Sequence, residues 1–228
     1  MQTRWASPRD VIRSNEYKLV KRTDISRPTL WLLAAAALGS ACSKSVEVKV
    51  DFPEPLVAPL ALKVGLRYGD SINNYSYHEE LPVDGNWSFE LGATNARLFD
   101  KIFSALFEEV VYVDATGGTG EPYSSLDAII EPTIEAFEFS LPRQSRSDQY
   151  SVWIRYNLRV YGPDGNLITN WPVSAYGQAD SRLFGAKEAM AEATINAMRD
   201  AVASIVTGFG KEPKIKEALL TENEDEEL

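Results

Sequence analysis

Between Gln149 and Tyr161 the chain alternates without a break. Tyr150, Val152, Ile154, Tyr156, Leu158 and Val160 hold one parity, and Trp153, Arg155, Asn157, Arg159 and Tyr161 hold the other. Successive side chains of a strand point to opposite faces, so this pattern predicts a strand with one buried side. Gly162-Pro163-Asp164-Gly165-Asn166 has turn chemistry, and a second strand over 167–176 completes a long hairpin. Further strands are expected over 61–68, 86–92 and, more briefly, 110–114. Residues 127–142 also read as extended, but Ile130 and Ile134 share one parity while Phe137 and Phe139 take the other. That change of phase predicts a bulge near Glu135 or Ala136.

Two segments have helical spacing instead. Thr94 is the expected N-cap of a helix whose buried face carries Leu98, Phe99, Ile102, Phe103, Leu106 and Val110. After the hairpin, a helix is expected to reach Thr207, with Gly208 as its C-cap. Its stripe of Ala186, Met190, Ala193, Ala197, Ala201 and Ile205 is rich in small residues, which would let the helix lie close on the sheet. The order of elements predicts an α+β fold, a two-layer sandwich of a mostly antiparallel sheet with two helices on one face. One domain spans residues 61–210. "DFPEPLVAPLA" (51–61) holds three prolines, and residues 42–60 read as an extended tether. "ATGGTGEPYSS" (115–125) reads as a loop. Residues 211–228 end in "TENEDEEL", whose five acids predict a solvated tail without structure.

Before the tether stands the chain's one long apolar run, Leu30 to Gly39. Ten residues are about half of what a membrane-spanning helix needs, roughly 20. They suit the apolar region of an export signal, about 7–15 residues. Lys18, Lys21, Arg22 and Arg27 form a basic flank upstream, and Gly39-Ser40-Ala41 is a small-residue cleavage site. Residues 1–41 are therefore expected to be a signal peptide. Residues 1–17 contain Asp10 and Glu16 and add nothing to export, and a start at Val20 would leave a segment of ordinary signal length.

Leu38-Gly39-Ser40-Ala41-Cys42 resembles the lipobox of bacterial lipoproteins, in which the cysteine sulfur takes a diacylglycerol and becomes the new N-terminus. Here the leucine stands four residues before the cysteine rather than three, so plain cleavage after Ala41 stays open. Cys42 is the chain's sole cysteine and can form no internal disulfide; lipidation accounts for it. Over residues 42–210 the element order, with this export signal, is similar to that of small Gram-negative lipoproteins facing the periplasm. These include the lipopolysaccharide-assembly, curli-secretion and ABC-transporter-auxiliary lipoproteins. The resemblance implies a membrane-anchored envelope protein and carries over no site residue. Ser43 stands where an aspartate, in enteric lipoproteins, resembles an inner-membrane retention signal; this favours the outer membrane.

Seven of the 23 Lys and Arg and three of the 33 Asp and Glu precede Cys42, which leaves the mature chain 16 against 30, a formal −14. Phosphate backbones would repel it, so nucleic acid is not an expected partner. The single histidine, His78, lies beside Glu79 and Glu80; neighbours on a strand face opposite ways, and a solvent-facing histidine is expected rather than a metal ligand. With one histidine, and the lone cysteine in the anchor, triad hydrolysis is nearly excluded. Gly117, Gly118 and Gly120 lack the Gly-Lys-Ser/Thr ending of a phosphate loop. Asp127, Glu131 and Glu135 are expected to pair with cations on the neighbouring strand. No cofactor is expected, and no enzyme activity.

One surface suggests contact. Trp153, Arg155, Arg159 and Tyr161 share the hairpin parity that faces away from the helices, and tryptophan, tyrosine and arginine are frequent at interface hot spots. The alternative is that Arg155 and Arg159 neutralise Glu131 and Glu135 across the sheet while the aromatics cover a thin second layer. The expected function is that of a lipid-anchored scaffold or assembly factor binding envelope proteins. A carrier or chaperone for lipid or lipopolysaccharide is the other reading, and it would need a cavity lined by Phe99, Phe103, Phe137 and Phe139.

Overall fold

The computed structural model describes residues 43–113 and 123–221. It is an α+β fold built on two sheets. The elements run β1 (Ser43–Glu47), β2 (Leu60–Leu66), the short α1 (Asp70–Asn73), β3 (Ser76–Leu81), β4 (Gly85–Glu90), α2 (Gly92–Leu106) and β5 (Phe107–Tyr112). Then come β6 (Ala128–Ser140), the one-turn α3 (Pro142–Ser145), β7 (Gln149–Tyr161), β8 (Leu167–Asp180) and the long α4 (Ala186–Gly208). The large sheet has the order β5-β2-β6-β7-β8, antiparallel across β6, β7 and β8 and parallel on both sides of β2. The small sheet has the order β1-β4-β3. No described helix is long and apolar enough to cross a membrane.

The strict alternation in β7 buries Val152, Ile154, Tyr156, Leu158 and Val160 on one face, the face α4 and α2 cover. The expected bulge lies between Ile134 and Ala136, where the β6–β7 register shifts by one. It returns Phe137 and Phe139 to the inner face, where they meet Tyr77, Trp87 and Phe89 of the small sheet. The small-residue stripe of α4 fits β8 at Gly177. A Cβ there would stand 2.1 Å from both the Ala193 carbonyl oxygen and the Ala197 amide nitrogen, so helix backbone rests directly on strand backbone. The turn after β7 uses Gly165 at φ 81°, a conformation that glycine adopts without strain.

Three expectations for the helices need correction. The first long helix begins at Gly92 rather than after Thr94, because the Leu91 and Gly92 amides both donate to the Tyr75 carbonyl. Thr94 is inside the helix, and its buried hydroxyl donates to the Val48 carbonyl at 2.9 Å. Val110 belongs to β5, not to the helical face. Gly208 has φ −101° and does not cap; the chain goes on as a 3₁₀ turn (Phe209–Lys211) because Phe209 is fully buried against Phe107 and Trp171.

Order also extends past both ends of the segment 61–210. Ser43–Glu47 pairs in parallel with β4, and Val46, Val48 and Phe52 join the core. At the other end Ile215 is buried in a short helical turn over Pro213–Ile215, and helical structure runs on to Leu220. Gly117, Gly118 and Gly120, and the acidic run from Glu222, lie outside the described residues.

Candidate functional site

The outer face of the large sheet, opposite α2 and α4, is where the hairpin's second parity projects. In register, Trp153 lies between Glu138 of β6 and Tyr176 of β8. The Trp153 and Tyr176 rings meet at 5.0 Å between centroids, tilted by 42°. Both remain open to solvent, 44% and 41% exposed. The Tyr176 hydroxyl is 3.1 Å from Ser151 Oγ and donates to Gln178 Oε1 at 3.1 Å. Beside the pair, a shallow depression of about 290 Å³ is bordered by Ala136, Glu138, Trp153, Arg155 and Ser174. The bulge shapes it by turning both Glu135 and Ala136 toward this side.

Further along the strand the face is electrically closed. Arg159 Nη1 is 3.0 Å from Glu131, and Arg67 Nη1 approaches the same carboxylate at 3.4 Å. Arg155 Nε lies 3.4 Å from Glu135, whose other oxygen accepts from Asn157 Nδ2 at 2.6 Å. Asp127 accepts from the Lys63 amide at 2.7 Å. The pairs at Glu131 and Glu135 are those expected if the arginines merely neutralise carboxylates, whereas Asp127 holds a backbone amide rather than the expected cation. Tyr161 is half-buried, with the Arg67 guanidinium 5.5 Å from its ring centroid, beside a small cluster of Tyr123, Leu126 and Ile129. Of the four residues of the expected contact face, Trp153 alone combines a large ring with contact to a second exposed ring. Tyr176, which the sequence reading missed, supplies the second ring. Strand parity and the hairpin turn carried that signal, since they set 176 opposite 153.

Asn157 adds a polar feature. It is buried, and its Oδ1 has no hydrogen-bond partner among the described residues. An unpaired buried acceptor costs about 1–3 kcal/mol unless water or a donor from outside reaches it. On the inner side of β7, Tyr156 donates to Asn95 Oδ1 at 2.7 Å, and burial raises its phenol well above the ordinary value. That bond ties the hairpin to α2.

The β8 edge beside this face is covered. Asp200 of α4 accepts from the Tyr176 amide at 2.9 Å, and Asn196 donates to the Gln178 carbonyl at 3.1 Å. Pro172, of the same phase as Tyr176, has no N–H to offer. An edge so covered resists addition of a further strand.

His78 projects into solvent, with Nε2 3.9 Å from Glu90. Among the described residues no three potential metal ligands come together. Phe99 and Phe103 stack at 5.7 Å and pack with Phe107 and Tyr156, while Phe137 and Phe139 pack with Tyr77, Trp87 and Phe89. All four phenylalanines belong to one continuous core, where they pack against neighbouring rings. Cys42 lies outside the described residues.

No family model matches the sequence, and no curated protein matches it. Among solved structures the chain is similar to a Xanthomonas campestris protein of family DUF330, with TM-score 0.44 and 10% identity over 82% of this chain and 98% of that one. It is similar to a protein described as a neuraminyllactose-binding hemagglutinin homolog from Helicobacter pylori, with TM-score 0.45 and 10% identity over 78% of this chain and 100% of that one. The PelC dodecamer of Paraburkholderia phytofirmans gives TM-score 0.36 and 12% identity over 65% of this chain and 90% of that one. TM-scores below 0.5 at such identity place no functional residue of those proteins onto this chain.

Proposed function

We propose that the mature chain is a non-enzymatic, lipid-anchored protein of the cell envelope that acts as a scaffold or assembly factor through protein–protein contacts. The anchor is Cys42, and the body faces the periplasm from the outer membrane. The observation that carries the contact reading is the exposed Trp153–Tyr176 pair on an otherwise charge-paired sheet face. Paired aromatic rings expose apolar area at little conformational cost, the combination found at interface hot spots. The ion pairs around them act as a polar rim. The packed phenylalanine clusters speak against a lipid carrier with an internal groove.

Anchoring is tested by growing cells with a palmitate analogue. The wild-type protein is expected to take up label and sediment with outer membranes, and Cys42→Ala is expected to lose both properties. An unlabelled wild-type protein would leave plain secretion after cleavage at Ala41.

A further inference from the structure

Strand β1 begins one residue after Cys42. Ser43 is already in register with Asn86 of β4, so an acyl group on Cys42 would leave the folded body no tether. One end of the molecule must then sit against the bilayer, and contacts identify that end. Lys44 donates to the Asp84 carbonyl in the β3–β4 turn, and Arg143 of α3 pairs with the Asp84 carboxylate at 2.9 Å. The segment after α3 reaches Asp148, whose carbonyl accepts from Ser181 at 2.8 Å and whose carboxylate is 3.6 Å from Arg182. A continuous strip thus runs from the anchor to the β8–α4 loop.

Along that strip the apolar residues point outward. Val83 at the turn tip is 74% exposed, and the adjacent loop residues Leu183 and Phe184 are 73% and 43% exposed. Charge agrees with this placement. Lys44, Arg143, Arg146 and Arg182 stand along it against Glu79, Glu80, Asp84, Asp148 and Asp180, so the strip is near balance while the mature chain carries −14. Anionic headgroups would repel the rest of the body but not this end. We infer that the strip formed by Val83, Leu183 and Phe184 is a membrane-contact surface, and that it docks the body on the phospholipid layer holding the Cys42 acyl chains.

The inference rests on lipidation of Cys42, so the test reads both. The acylated protein is reconstituted in vesicles of phosphatidylethanolamine and phosphatidylglycerol as Leu183→Cys and, separately, Leu167→Cys. Leu167 is exposed at the opposite end of the β7–β8 hairpin. With the Cys42 sulfur occupied, a nitroxide label reports one position in each protein. The label at 183 should collide several-fold less with a water-soluble nickel chelate, and more with oxygen, than the label at 167. Equal access of the chelate to both labels, in protein whose mass shows the acyl group, would overturn this inference alone. A mass without the acyl group would overturn the anchor and the inference together.

Discussion

Replacing Gly177 by alanine tests how closely α4 lies on the sheet. A methyl group at that position would stand 2.1 Å from the Ala193 oxygen and 2.1 Å from the Ala197 nitrogen, where ordinary contact begins near 3.4 Å. Helix and strand must therefore separate by more than about 1 Å, since backbone atoms cannot swing aside as a side chain would. Overpacking costs about 1–3 kcal/mol, and contact with backbone on both sides puts this case near about 3. Reduced freedom of the unfolded chain returns about 0.4–1 kcal/mol. A net loss of about 2–3 kcal/mol corresponds to a melting temperature lower by roughly 4–12 °C for a domain of this size. Thermal and urea unfolding of Gly177→Ala, in a Cys42→Ala background to exclude the acyl chains, would measure it. An unchanged or raised melting temperature would refute direct backbone packing at this point.

Three further substitutions probe the same framework. Ala197→Leu should cost about 1–3 kcal/mol in urea unfolding, because Ala197 is fully buried in the stripe facing the sheet. Tyr156→Phe leaves the buried Asn95 oxygen without its donor and should cost about 1–3 kcal/mol, read from the same titration. Asp200→Ala removes the acceptor of the Tyr176 amide, and should lower stability by about 0.5–1.5 kcal/mol and increase self-association in sedimentation runs.

What the sequence made legible follows from periodicity. The β7–β8 hairpin shows itself because one face is apolar and the other polar over thirteen residues of β7, and the parity change at Ile134–Phe137 marks the bulge. The small sheet was hidden. Its β1, "SKSVE", and β3, "SYHEEL", are short and polar, and β1 pairs in parallel with a strand some forty residues away. Local pattern holds no trace of such a partner. Residues 48–52 read as tether because three prolines follow at once, yet Val48 and Phe52 are buried. Ile215 extends the fold past 210, while the acidic run that suggested a tail starts only at Glu222. At the site, Trp153 and the arginines were visible as one parity of one strand. Tyr176 became a member only through pairing between strands.

The central claim is that the Trp153–Tyr176 face binds a partner, and Trp153→Ala tests it most directly. The anchored protein would be crosslinked in intact envelopes, and partner recovery and folding stability measured on the same variant. Trp153 is 44% exposed and its ring contact is worth about 0.5–1.5 kcal/mol, so stability should fall by little more than that. Partner binding should weaken by about 2 kcal/mol or more, roughly thirtyfold. A stability loss of about 3–5 kcal/mol, the size of a core truncation, with no selective loss of partner would contradict the account.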